Sequence, residues 1–112
     1  MVQTNDSALR GALTEIFMAA VKSADPHEAL IGALPEKPRG RCVVVGAGKA
    51  SGAMAAALEA AWPDVDMQGV VVTRYGHAVL TQKILIVEAA HPVSDAMSEI
   101  ASMLMMEQVK GL

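Results

Sequence analysis

The chain has 112 residues, enough for one small domain, and 53% of them are hydrophobic. Phe17, Trp62 and Tyr75 are its only aromatic residues, so a core must be built from Ala, Val, Leu, Ile and Met, and so apolar a small chain implies surface that a partner or further chain covers. A net charge of −3 without a basic run argues against a nucleic-acid face, a single cysteine excludes an internal disulfide, and the lack of a leader-like or spanning apolar run points to a cytoplasmic protein without a membrane partner.

A first helix is expected after Asn5, Asp6 and Ser7, three residue types that cap well. Leu9, Leu13, Ile16, Phe17, Ala20 and Val21 recur on one face of it. Asp25-Pro26-His27-Glu28 starts a second, short helix, with Asp25 as cap, Pro26 in the first turn and Glu28 completing a capping box. That box explains the acid–histidine grouping better than a metal set, and no metal site is expected. Residues 35–40 break the pattern with two prolines and a glycine and read as an exposed loop within one domain.

A strand is expected over Arg41–Val45, with Val43, Val44 and Val45 fully buried and Cys42 a buried, inert thiol. A helix from Lys49 to Trp62 is stopped by Pro63, and its many alanines allow close packing on a sheet. Gly69–Thr73 and Ile84–Val87 follow as strands, both apolar on successive residues, as in strands buried on both faces. Ser94 and Asp95 start a last helix that runs to about Val109, with Gly111 as its C-cap. The predicted fold is therefore α/β, a three-layer, mostly parallel, Rossmann-like sheet that three strands leave incomplete.

The most informative stretch joins the first strand to the helix after it: Gly46-Ala47-Gly48-Lys49-Ala50-Ser51. A strand, a glycine turn and a helix N-terminus form an anion site, and Lys49 adds a mobile positive charge to it. The spacing matches neither common phosphate motif. Ala50 follows the lysine, so no hydroxyl is placed for magnesium, and Ser51 stands where a dinucleotide fingerprint has its third glycine. A tight turn with a solvated lysine is the competing interpretation. Each of the other strands also ends in a polar loop, Thr73-Arg74-Tyr75-Gly76-His77 and Glu88-Ala89-Ala90-His91-Pro92-Val93-Ser94-Asp95. Ligands of open parallel sheets bind beyond the carboxyl ends of the strands, so Lys49, Arg74, His77 and His91 are expected to converge at one rim. Against this, Arg74 and His77 also suit a solvated loop, Tyr75 a cover for the sheet end, His91-Pro92 a fixed turn, and Asp95 a helix start.

Taken together and in order, the three loops resemble the N-terminal part of the glycerate 2-kinase family, whose members are often labelled hydroxypyruvate reductase. The resemblance runs from about Thr4 to Leu112, and Ser94 departs from it where the family often has a second proline. Family members are several times longer, with a Ser-Gly-Gly-Gly-Ser segment soon after the part matched here and a second α/β domain that closes the active-site cleft. The resemblance thus implies that residues 1–112 are the N-terminal part of the first α/β domain of a longer two-domain enzyme, and that the chain alone is inactive. It implies transfer of the γ-phosphoryl of ATP, brought in with magnesium, to the 2-hydroxyl of D-glycerate. Lys49 would be the catalytic cation, with Gly46, Gly48, Ser51, Arg74, His77, His91 and Asp95 lining the substrate and nucleotide cleft; no bound cofactor is expected on this piece. One alternative is an NAD(P)H-dependent hydroxypyruvate reductase, which the missing third glycine and the Thr73-Arg74 strand end disfavour. Another is a non-catalytic anion-binding module. Self-association is expected through an open sheet edge or through the last helix, whose Met97, Ile100, Met103, Leu104, Met105, Met106 and Val109 exceed one stripe.

Overall fold

A computed structural model describes residues 5–112; Thr4, where the resemblance begins, lies outside them. Two helices, α1 (Asp6–Ser23) and α2 (Pro26–Ile31), precede strand β1 (Cys42–Ala47). Helix α3 (Ser51–Ala61), strands β2 (Met67–Arg74) and β3 (Ile84–Ala89) and helix α4 (Ala96–Val109) follow. The strands form one parallel sheet in the order β1-β2-β3. Helices cover both faces, which gives the three-layer α/β arrangement, a Rossmann-like sheet with few strands.

The two faces of β2 account for the two cores. Met67 and Val71 turn to one side and pack with Ala55, Trp62, Val65 and Ile84, under α3. Val70 turns to the other and packs with Val87 and with Ala101 of α4, flanked by Val72, Met97 and Met105. The prediction that every strand is covered on both faces holds only for this central strand. Val45 of β1 is 45% exposed and Leu85 of β3 is 53% exposed, because both strands are edges with a paired neighbour on one side only among the described residues. Cys42, expected to be buried, is half-buried on β1 for the same reason.

Element ends differ from the predicted ones where pairing outlasts the hydrophobic run. β1 extends through Gly46 and Ala47, which pair with Val71 and Val72. The turn therefore comes at Gly48, whose φ of +127° suits only glycine, and α3 begins at Ser51, not at Lys49. Trp62 is the C-cap of α3 and a buried member of the core. Asn5 caps α1, and Asp25 caps α2 by accepting from the amides of His27 and Glu28; the reciprocal bond from Glu28 is absent, so no full capping box forms. Asp95 and Ser98 do form one at the start of α4, and Gly111 adopts φ +79° just past its end. The apolar face of α1, expected to build core, buries no residue: Leu13, Ile16 and Phe17 are each about two-thirds exposed.

Parallel strands need a crossover, yet β2 and β3 are joined by residues 75–83 with no helix. The segment returns in extended form along α3. Gly52 lets it approach: a side chain there would meet the His77 carbonyl at 3.3 Å and Val79 at 3.7 Å. At the far end of α3, Glu59 accepts hydrogen bonds from the amides of Gln82, Lys83 and Ile84 at 2.8, 2.8 and 2.7 Å. Partial burial works to raise the Glu59 pKa, but the three amides, aided by the Lys83 charge, outweigh it and hold the carboxyl below its ordinary value. The Glu59 carboxylate thus replaces a helix as the device that returns the chain.

Glu59→Gln is expected to lower stability by about 1–2 kcal/mol at neutral pH, since charge-assisted bonds are the stronger ones. Because the folded-state pKa is depressed, this contribution is fully present above the ordinary carboxylate value and is lost as the pH falls through the lowered one. Urea titrations of both proteins at a series of pH values check it: the gap in midpoint should close in acid.

Candidate functional site

The carboxyl ends of the three strands lie together because β2 pairs in register with both neighbours, Ala47 opposite Val72 and Arg74 opposite Ala89. A cleft of about 540 Å³ opens beside the β1 end of this rim. Val44, Val45, Met54 and Leu58 supply apolar walls, and Lys49, Ser51 and His91 supply polar groups. Of the predicted site residues, Gly46, Gly48, Lys49, Ser51 and His91 line this one cleft. Arg74, His77 and Asp95 do not, so the expected convergence of Lys49, Arg74, His77 and His91 reduces to Lys49 and His91. Arg74 ends β2 on the strand face shared by Val70 and Val72, toward α4 and away from the cleft; Asp95 caps α4; and the return loop carries His77 over α3.

The turn after β1 is closed by the Ser51 amide, which donates to the Gly48 carbonyl at 3.1 Å, and is tied down by four further bonds. The Gly48 amide donates to the Val72 carbonyl at 3.0 Å. The Ser51 hydroxyl shares its hydrogen between the carbonyls of Gly48 (2.8 Å) and Val72 (2.7 Å). Thr73, buried at the end of β2, donates to the Lys49 carbonyl at 3.3 Å. Two consequences follow for anion binding. Gly48 has no amide hydrogen left for a ligand, contrary to the simplest picture of the glycine turn, and the Ser51 hydroxyl is spent inside the protein. What remains is the start of α3, where Ala50 provides no side-chain cap, and the amides of Lys49 and Ala50, which have no hydrogen-bond partner among the described residues. The Lys49 side chain is exposed and forms no ion pair among the described residues. A rigid turn with uncapped amides and an unpaired ammonium next to an apolar cleft suits a phosphate or carboxylate attached to a less polar body.

On the other side of the rim, Asp95 accepts from four donors. Its Oδ2 takes the Tyr75 hydroxyl at 2.8 Å, and its Oδ1 takes the Ala90 amide at 3.3 Å and both the amide and hydroxyl of Ser98 at 3.1 Å. The Tyr75 hydroxyl foremost pulls the Asp95 carboxyl below its ordinary pKa; desolvation opposes it, and the Ala90 and Ser98 donors add to the lowering. The same bond raises the Tyr75 phenol. Glu88 accepts the Gly76 amide at 2.6 Å, and the Tyr75 amide donates to the Ala89 carbonyl at 3.2 Å, so the second and third loops are stitched together. The His91–Pro92 peptide is cis. Thr73 and Glu88 open the second and third strand-end loops but are not among the predicted site residues; each is a polar residue at the end of an apolar strand, the one local signal that marks it. Among the described residues no three His, Cys, Asp or Glu side chains are grouped to hold a metal ion, and no helix is long and apolar enough to cross a membrane.

Residues 12–112 match the family described as a domain of unknown function, DUF4147, which is the N-terminal domain of the glycerate 2-kinase family. The chain belongs to this family. An Agrobacterium vitis protein named as a hydroxypyruvate reductase is 62% identical over 108 residues, covering 96% of this chain and 25% of its own length. A Pyrococcus horikoshii glycerate 2-kinase is 34% identical over 91 residues, covering 70% of this chain and 20% of its own. In three dimensions the chain resembles a Thermotoga maritima glycerate kinase, with a TM-score of 0.79 and 30% identity over 95% of this chain and 26% of that one. The DUF4147 chain therefore spans about a quarter of the length of these relatives.

Ser51→Ala removes the donor that ties the Gly48 turn to β2. The expected cost is about 0.5–1.5 kcal/mol, the net worth of one hydrogen bond, because both carbonyls keep a backbone donor, the Gly48 amide for Val72 and the Ser51 amide for Gly48. Thermal unfolding of the variant measures it, and a change within error of zero would mean that the turn holds without this hydroxyl.

Proposed function

We propose that the chain supplies one wall of the active site of an ATP-dependent kinase that phosphorylates the 2-hydroxyl of D-glycerate. The observation that carries this reading is the pairing of an exposed Lys49 with the uncapped start of α3 at the mouth of the cleft, with His91 on the same cleft. Phosphoryl transfer needs positioning and cations more than covalent chemistry from the protein. Lys49 would bind and offset charge on the transferred phosphoryl. The Lys49 and Ala50 amides would orient one anionic group, and His91 would contact the second reactant. Arg74, at the end of β2, and His77, on the adjoining exposed loop, would meet the glycerate carboxylate only where it reaches beyond the cleft. ATP would arrive with magnesium as substrate, and the DUF4147 piece contributes a phosphate cradle to it. The remaining wall would come from the rest of a protein of the relatives' length, so the chain alone should not turn over.

A hydroxypyruvate reductase is the second reading, supported by the name of the 62% identical relative. A nicotinamide site at this turn would want a glycine where the Ser51 hydroxyl bridges two carbonyls, and an acidic residue at the end of β2, where Arg74 stands. Both features weigh toward the kinase.

The test grafts residues 1–112 in place of the matching quarter of the Agrobacterium vitis relative and assays two reactions: ATP-dependent phosphorylation of D-glycerate and NADH- or NADPH-dependent reduction of hydroxypyruvate. Glycerate phosphorylation by the graft, with none by the 112-residue chain, is the expected result; hydride transfer alone would establish the second reading. In the graft, Lys49→Ala should lower turnover by ~10²–10³, the usual effect of losing one transition-state contact. It should change stability by less than about 0.5 kcal/mol, since Lys49 is exposed.

By itself the chain should self-associate. Among the described residues both sheet edges are open, and Ile100, Met103 and Met106 of α4 and the α1 face are exposed. Light scattering over a dilution series is expected to show a concentration-dependent dimer, and a monodisperse monomer at high concentration would refute it.

A further inference from the structure

We propose that Tyr75 and Asp95 are positioning residues that hold His91 at the cleft. The proposal rests on the reading of that cleft as the active site. A capping box needs only Asp95 and Ser98, and that pair is complete here with bonds in both directions. Asp95 does more than cap. Its second oxygen is occupied by the Tyr75 hydroxyl, which belongs to the loop after β2, 20 residues earlier in the chain. Its first also takes the amide of Ala90, the residue that precedes His91. One carboxylate therefore joins the loop after β2, the loop after β3 and the start of α4. Of the residues in this neighbourhood, His91 is the one that lines the cleft.

The geometry gives the two residues different tasks. Asp95 fixes the backbone just before His91 relative to α4, whose Ala101 is fully buried against β2 and β3. Tyr75 restrains Asp95 from the solvent side, and its own backbone is anchored by the Ala89 carbonyl, with Glu88 holding the neighbouring Gly76 amide. Two of the three loops at the rim thus share one framework, and the third, with Lys49, is fixed independently through Ser51 and Thr73. Lys49 and His91 reach the same cleft from separate supports. Tyr75 and Asp95 themselves stay off the reactants and act through the imidazole.

Two measurements test this. In the 112-residue chain, ¹³C-labelled histidine NMR follows the rings of His27, His77 and His91, with His91→Gln used for assignment. Tyr75→Phe keeps the ring and loses only the hydroxyl. It should shift or broaden the His91 ring signals and leave those of His27 unchanged, with the melting temperature altered little. In the grafted enzyme, Tyr75→Phe should lower glycerate phosphorylation about 10-fold, as small misplacements of a reacting contact do. In a His91→Ala background the same substitution should have no further effect, because two residues that act through one contact are not additive. Unchanged His91 signals, or equal losses in both backgrounds, would overturn the proposal. A graft that phosphorylates no glycerate would refute the kinase reading instead, and the NMR result would then decide the latch alone.

Discussion

Strand β2 is hydrogen-bonded along both edges and packed on both faces, and the other elements take their places from it. Its register with β1 and β3 brings three carboxyl ends to one rim. Its alternating side chains divide the interior into two cores, one under α3 and one under α4. Its last turn of sequence then does chemical work of another kind: the carbonyl of Val72 and the hydroxyl of Thr73 accept from and donate to the turn after β1. The candidate anion site is thus built against the central strand, although it opens beside an edge one. Gly69 is part of the same constraint. It faces Val44 in the register, and a side chain there would overlap the Val44 carbonyl, so the close approach of β1 to β2 depends on a glycine that sequence inspection reads as a mere strand start.

Much of the architecture was legible. Valine runs, helix caps and the alternation of elements were enough for a parallel α/β sheet, and the three strand-end loops in order were enough for the family. What local patterns could not carry was tertiary cover. The Val43–Val45 run looks like a core strand, but hydrophobicity does not say whether a neighbour is present, and β1 is an edge. Helical periodicity likewise put Leu13, Ile16 and Phe17 on one face without saying what that face meets. The alanines of α3 point to close packing on a sheet and say nothing of the loop that also lies along the helix. In the fold Gly52 gives room to the return loop, and Glu59, an unremarkable acidic residue in sequence, holds that loop's far end with three amide bonds.

The site shows the same division. Lys49 and His91, selected by their place after apolar strands, do reach one cleft. Arg74 and His77 met the same criterion and went elsewhere: Arg74 lies on the face of β2 that turns toward α4, and the segment carrying His77 has to travel back along α3 to start a parallel partner. A rule that places ligands beyond strand ends carries no information about which loops turn away, and here the missing crossover helix decides it.

The chemistry of the turn is narrower than its glycines suggest. In a phosphate loop, backbone amides carry much of the recognition and a lysine supplements them. Here Gly48 donates to Val72, and the hydroxyl of Ser51 is divided between two carbonyls, so the most favourably placed donors are consumed in holding the loop. That makes the loop stiff and leaves recognition to the Lys49 ammonium, two amides and the uncapped end of α3. Such a site distinguishes poorly among anions by geometry and strongly by charge. Under the proposed function, selectivity for one substrate would come from groups that meet it elsewhere, His91 on this wall among them. On that proposal, such a wall suits a transferase that closes around two reactants, because charge supplied by one lysine and two amides orients an anionic group while leaving its far side open to the second reactant.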